Sequence, residues 1–230
     1  ENVVTAAGDA FGKSVGDETI GLYTAGDVRC FSALEAGNAR IEGLYYDQQG
    51  ALIDALERST TIQLGLSALG YPFPAPTGIV DYELRRVGQD RVVSVRAGFG
   101  DYLGPQLSVD AAIPLSGTTG LNVGVGADHV KYNSGAYTDF LRYGAILRHR
   151  PATGVEFTGF FGRYDYRELQ SPSYFTAGAY LPPRIERGRY FGQRFSRRSG
   201  HAQNGGGIAK AQLGPWRIDA GLFHSRFTFD

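Results

Sequence analysis

From Arg91 onward, apolar and polar residues alternate with a period of two, as in strands with one greasy and one polar face. Val93, Val95, Ala97 and Phe99 alternate with Ser94, Arg96 and Gly98, and Leu107, Val109, Ala111 and Ile113 with Ser108, Asp110 and Ala112. Leu121, Val123, Val125 and Ala127 oppose Asn122, Gly124, Gly126 and Asp128. Leu141, Tyr143, Ala145 and Leu147 oppose Arg142, Gly144 and Arg148. The pattern recurs at Val155, Phe157 and Phe161, and at Trp216, Ile218, Ala220 and Leu222. With the fainter Gly206–Leu213, it predicts seven strands.

Their connections differ in length. Short links are expected at Ser116-Gly117-Thr118, Arg150-Pro151-Ala152 and Gly214-Pro215, and longer ones at Asn133-Ser134-Gly135-Ala136 and from Arg167 to His201. Outer-membrane barrels have short periplasmic turns and long external loops, so the Arg167–His201 stretch falls where an external loop belongs. Tyr132, Tyr137, Phe140, Tyr164, Tyr166, Phe227 and Phe229 fall near strand ends, where barrels carry aromatic girdles. Aromatics also close soluble β-sandwiches, so patterning alone leaves a membrane barrel and a soluble β domain both open.

Up to about Gly88 the grammar is mixed. A helix is predicted over Ala51–Arg58, with Leu52, Ile53 and Leu56 on one face, between strands at Ala39–Tyr45, Thr61–Leu66 and Gly78–Arg85. This half reads as a compact α/β unit.

Composition narrows the function. The 230 residues carry 23 basic and 23 acidic side chains, so no charge excess points to nucleic acid. No run approaches the roughly 18 apolar residues of a spanning helix, which leaves a strand-built membrane protein possible. Cys30 is the single cysteine, so neither a disulfide framework nor a cysteine zinc site is expected. With no methionine and no signal-peptide pattern, the chain reads as an internal piece of a longer one.

Enzyme motifs are not found. His129, His149, His201 and His224 lack metal-ligand spacing. Gly205-Gly206-Gly207 lacks the phosphate-loop lysine and reads as a loop entering a strand, and no serine sits in a nucleophile elbow. No catalytic residue, metal or cofactor is expected.

A resemblance adds to this reading. Asp27-Val28-Arg29-Cys30-Phe31, followed by Ala39-Arg40-Ile41-Glu42-Gly43-Leu44, resembles the plug of TonB-dependent outer-membrane receptors, with its "VRGF" turn and "R-V-x-I-D-G-V" strand. Leu56-Glu57-Arg58 and a following strand resemble the family's "L-E-R-I-E-V-L-R-G-P", and Thr77-Gly78-Ile79-Val80-Asp81-Tyr82 resembles "G-G-V-I-N-Y". Cys30 stands where the family has glycine, and no TonB box is recognisable before Gly12.

The resemblance implies a mixed α/β plug domain over residues 1–88, followed over 89–230 by antiparallel strands of a transmembrane β-barrel. With seven of the family's roughly 22 strands, the barrel would be incomplete, and these residues alone would not form a stable receptor. It implies energised uptake of a scarce solute, a ferric siderophore by preference, across the outer membrane of a Gram-negative bacterium. A TonB-type energy-coupling protein, a metal chelate and outer-membrane lipid would be its partners. A passive porin-like barrel and a soluble carbohydrate-binding β domain are the alternatives.

Three residue groups become candidates. Plug apices at Tyr46, Asp47, Gln48, Gln49 and Asp54 would meet the ligand. Arg194, Arg197 and Arg198, in a loop with seven arginines against Glu168 and Glu186, would capture an anion. Arg29, Arg40, Glu42, Glu57 and Arg58 would lock plug to barrel.

Overall fold

Strand alternation organises the chain into two sheets packed face to face. The computed structural model describes residues 11–15 as backbone, 36–63, 68, 71, 73, 75, 78–170, 178, 179, 186, 188–192, 195 and 197–230. The first sheet contains β1 (Phe11–Val15), β2 (Ala39–Ile41), β3 (Leu44–Tyr45), β4 (Glu57–Gln63) and β5 (Ile79–Leu84), in the order β1-β4-β5-β2-β3. It is mixed: β2 and β5 run parallel, from Ala39 opposite Val80 to Ile41 opposite Tyr82, while the other pairs are antiparallel.

The second sheet is an antiparallel meander of seven strands. These are β6 (Val92–Phe99), β7 (Pro105–Pro114), β8 (Thr119–Lys131), β9 (Tyr137–Ala152), β10 (Val155–Gln170), β11 (Arg197–Leu213) and β12 (Trp216–Phe229). Each pairs with its sequence neighbour.

The expected helix over 51–58 does not form, and the described residues contain no α-helix. Ala51–Ile53 are irregular, Asp54–Leu56 make a turn, and Glu57 already begins β4. Eight residues are too few for a helix to persist on propensity. Leu52, Ile53 and Leu56 are instead buried together in the inter-sheet core, and the Leu56 carbonyl accepts the Arg85 N–H at 2.9 Å. The first unit is therefore β rather than α/β.

Further boundaries shift. Ala39–Tyr45 folds as two short strands joined by Glu42-Gly43, both at positive φ (53° and 85°), the geometry of a tight two-residue hairpin. Arg150-Pro151-Ala152 continues β9, and the turn falls at Thr153-Gly154. Gly205-Gly206-Gly207 lies inside β11 rather than in a loop.

The core joins both sheets. Ile41, Tyr46, Ile53, Leu56, Ile62, Val80, Tyr82 and Leu84 of the first half meet Ile146, Phe160 and Ile208 of the second sheet. Each large aliphatic side chain buried this way contributes roughly 1.5–3 kcal/mol. The opposite face of the second sheet is apolar and uncovered: Val95, Leu107, Val125, Leu147, Ile218 and Leu222 are all exposed.

Candidate functional site

Pairing register aligns one lateral row across the second sheet. Asp110 opposes Gly124, Gly124 opposes Gly144, Gly144 opposes Gly162, Gly162 opposes Asn204, and Asn204 opposes Ser225. In each strand this is a residue of the non-greasy face, so the row forms a trough facing the first sheet. The segment Gln49–Leu56 lies along it. A Cβ on Gly144 would stand 2.7 Å from Ile53 Cδ1, one on Gly162 2.6 Å from Leu56 Cδ1, and one on Gly124 2.6 Å from Ala55 Cβ. Glycine lets the two backbones approach this closely.

At the trough's far end, side chains satisfy the crossing backbone. Asn204 donates to the carbonyls of Ala51 at 2.8 Å and Gly50 at 3.3 Å. Its oxygen accepts from the Tyr46 hydroxyl and from Ser225 Oγ at 2.7 Å. Ser225 Oγ in turn accepts the Gln49 N–H at 2.9 Å. Tyr46 packs edge-on against Phe223, and burial pushes its hydroxyl pKa up to about 12.

A charged cluster holds the other side. The Glu42-Gly43 hairpin presents the Glu42 carboxylate to the second sheet, where Oε1 accepts from Arg148 Nη2 at 2.8 Å and from Leu84 N at 3.1 Å. Oε2 accepts from Lys210 Nζ at 2.8 Å and faces Arg86 Nη2 at 3.5 Å. Burial alone would raise the Glu42 pKa, but the Lys210 ammonium and the Arg148 guanidinium hold it at about 2.

Arg148 spends its whole guanidinium here. Nη1 donates to Glu156 Oε1 at 2.6 Å and Thr158 Oγ1 at 3.1 Å, while Nε and Nη2 reach the Arg85 and Leu84 carbonyls at 3.2 Å each. Arg150 completes the cluster, donating to Glu156 at 2.6 Å.

The sequence-derived candidates distribute as follows. Glu42 joins the inter-sheet cluster. Arg40 stays within the first sheet's neighbourhood, donating to the Phe73 carbonyl and covering the Tyr45 ring. Glu57 accepts from Thr60, and Arg58 faces Glu83 at 3.9 Å. Arg29 and Arg194 lie outside the described residues.

Among the apices, Tyr46 is 1% exposed and its hydroxyl is engaged by Asn204, so it presents no open face. Asp47 and Gln49 are exposed and bonded to each other at 3.1 Å, and Gln48 donates to Gly50 O. Asp54 Oδ2 accepts from Arg142 Nη1 at 2.8 Å, and Arg142 also pairs with Asp128. Arg197 pairs with Glu168 at 2.9 Å, and Arg198 is exposed.

Arg148, Lys210, Arg142, Asn204 and Ser225 were not singled out from sequence. The available signal was glycines sharing a strand face with isolated arginines and amides. Among the described residues no group of three or more histidine, cysteine, aspartate or glutamate side chains could hold a metal ion.

No protein-family model and no curated protein sequence matches the chain. Solved structures do. FpvA of P. aeruginosa, in a ferric pyoverdine complex, superposes with a TM-score of 0.65 at 12% identity, over 82% of this chain and 27% of that one. Fiu, a ferric-catecholate import receptor from E. coli K12, gives 0.65 at 12% identity over 84% and 30%. The siderophore receptor PiuA from Acinetobacter baumannii gives 0.62 at 13% identity over 94% and 33%. The likeness is one of fold. The chain has the fold of part of a TonB-dependent siderophore receptor and spans between 27% and 33% of the length of these three.

Proposed function

We propose that this chain is the plug and the first arc of barrel wall of an outer-membrane receptor for TonB-dependent uptake, most suited to a ferric siderophore. Residues 1–88 are the plug in this reading, and 89–230 the barrel strands. The carrying observation is the pairing of two unlike faces on one sheet. The uncovered face is apolar, as lipid requires. The other receives a small sheet through a charged cluster and the Asn204–Ser225 amide and hydroxyl contacts.

Those contacts suit a plug that must move. Ion pairs and hydrogen bonds can be replaced by water, whereas a purely greasy interface would hold the plug shut. Glu42 and Asp54 serve as locks, through Arg148, Lys210 and Arg142. Asp47, Gln48 and Gln49, with Arg197 and Arg198, form the polar surface offered to an anionic chelate. A passive porin is disfavoured because the small sheet covers the trough. No chemistry is done on the ligand, and the likeness to import receptors supports that.

The test is uptake of radioiron-labelled ferric siderophores by Gram-negative cells in which the full-length protein is the only such receptor. Accumulation that stops when the energy-coupling protein is removed supports the proposal. Accumulation that continues unchanged means a passive pore, and recovery of the protein in the soluble fraction rules out both.

A further inference from the structure

Between the first sheet and strands β6–β8 lies a cleft of about 350 Å³. This is the lower range of small-molecule sites. Arg58, Arg85 and Arg86 line it from the first sheet, and Val92, Asp110 and Asn122 from the second.

Asn122 marks the cleft as more than a packing gap. It is 5% exposed, yet its side-chain amide nitrogen has no hydrogen-bond partner among the described residues. A buried donor left this way costs about 1–3 kcal/mol, so the site calls for an acceptor.

The charges define which acceptor. Arg85 Nε is held by the Glu57 carbonyl at 3.0 Å, while its Nη1 stands 3.7 Å from Asp110, beyond direct hydrogen bonding. Arg58 is 55% exposed along its side chain and 3.9 Å from Glu83, and Arg86 faces Glu42 at 3.5 Å. Glu57, the other carboxylate in the wall, accepts from Thr60. Glu83 and Glu42 lie outside the wall, and Glu42 is already engaged by Arg148 and Lys210, so within the wall three guanidiniums face two carboxylates. Planar guanidiniums match carboxylates in bidentate fashion, and the Val92 wall favours a carbon body over a bare inorganic ion.

We infer that this cleft binds a small organic polycarboxylate. Its oxygens take the Asn122 amide and the Arg58 and Arg86 guanidiniums, and its carbon frame lies against Val92. Because the ligand bridges both sheets, it favours the docked state by mass action. Binding itself stands apart from the uptake reading, whereas the effect on docking rests on it.

Citrate is the probe and sorbitol, a neutral polyol of equal carbon count, its control, titrated calorimetrically into the full-length protein in detergent micelles. Citrate is expected to bind saturably at one site and sorbitol not at all, with Arg58→Gln and Asn122→Leu each weakening citrate about tenfold. Arg58→Gln alters an exposed side chain, so it decides the matter even where Asn122→Leu fails to fold. The inference is overturned if citrate gives no saturable binding, if sorbitol binds equally well, or if Arg58→Gln leaves citrate affinity unchanged.

Discussion

Glu42 Oε1 accepts a hydrogen bond from Arg148 Nη2 at 2.8 Å, with the two side chains only 3% and 5% exposed. The pair joins the hairpin of one sheet to the fourth strand of the other. Removing either charge leaves the other buried with fewer partners: Arg148 would keep Glu156, and Glu42 would keep Lys210 and Arg86.

The first prediction is a pH dependence. Glu42 is held at about 2, below its ordinary 4.5, so its contribution is complete above pH 4.5 and is lost as pH falls through 2. That contribution is roughly 3 kcal/mol. Asp81, raised by burial against hydrogen bonds from Gly43 and Tyr71, adds a slope of the opposite sign above 3.8. Amide protection factors across β5, which are corrected for the intrinsic exchange rate at each pH, should therefore fall between pH 4.5 and 2, more cleanly in Asp81→Asn. Glu42→Gln should cost about 3 kcal/mol at pH 7 and flatten the acid limb. An unchanged limb in Glu42→Gln would assign the acid loss to another group.

The second concerns the trough. Gly144→Leu or Gly162→Leu would drive a side chain into Ile53 and Leu56, costing about 1–3 kcal/mol and loosening the 49–56 segment. Gly159→Leu, where an added Cβ meets none of the described residues within 4 Å, should be tolerated. Limited proteolysis at Arg58 compares the three, and equal cleavage would show that the trough is not under load.

Asn204 supplies the third. Asn204→Leu leaves the carbonyls of Gly50 and Ala51 and the Tyr46 hydroxyl without their partner, at about 2 kcal/mol or more. Ser225→Ala should cost about 1 kcal/mol and expose the Gln49 amide to exchange. If Ser225→Ala proved the more damaging, the assigned hydrogen-bond order would be wrong.

The fourth addresses the apolar face. Val125→Arg places a charge on the uncovered side of β8 and should reduce insertion into lipid vesicles, by about 2–4 kcal/mol at mid-depth. Val125→Leu should insert normally. Equal insertion would mean this face does not meet lipid.

The sequence revealed the second sheet better than the first because alternation is a local signal. Val123 and Val125 against Asn122 and Gly124 state strand and face without reference to any partner. The 51–58 segment misled because Leu52, Ile53 and Leu56 satisfy a helical face equally well. Burial against Gly144 and Gly162, a hundred residues on, decided for an extended turn.

The inter-sheet contacts were less legible for the same reason. Glu42 stood out within a family-like word, but Arg148, Lys210 and Asn204 look like ordinary polar-face residues until register brings them beside the hairpin. The family resemblance places Tyr46 and Asp54 at ligand-facing apices. In the fold, one is enclosed by Asn204 and Phe223, and the other is paired with Arg142.

The most direct test pins the two sheets together. In a Cys30→Ser background, Ala55→Cys with Gly124→Cys sets two Cβ atoms 2.6 Å apart, so the segment must lift by about 1 Å to reach the ~3.8 Å of a disulfide, and Asp110 Oδ1, 2.5 Å from the new Cβ, must swing aside. If the proposed uptake reading holds, the full-length protein carrying this pair should form the bond under oxidising conditions, bind ferric siderophore and import none until reductant is added. Equal import before and after reduction, with the bond verified by mass, would contradict the claim that the small sheet is a plug that must leave its trough.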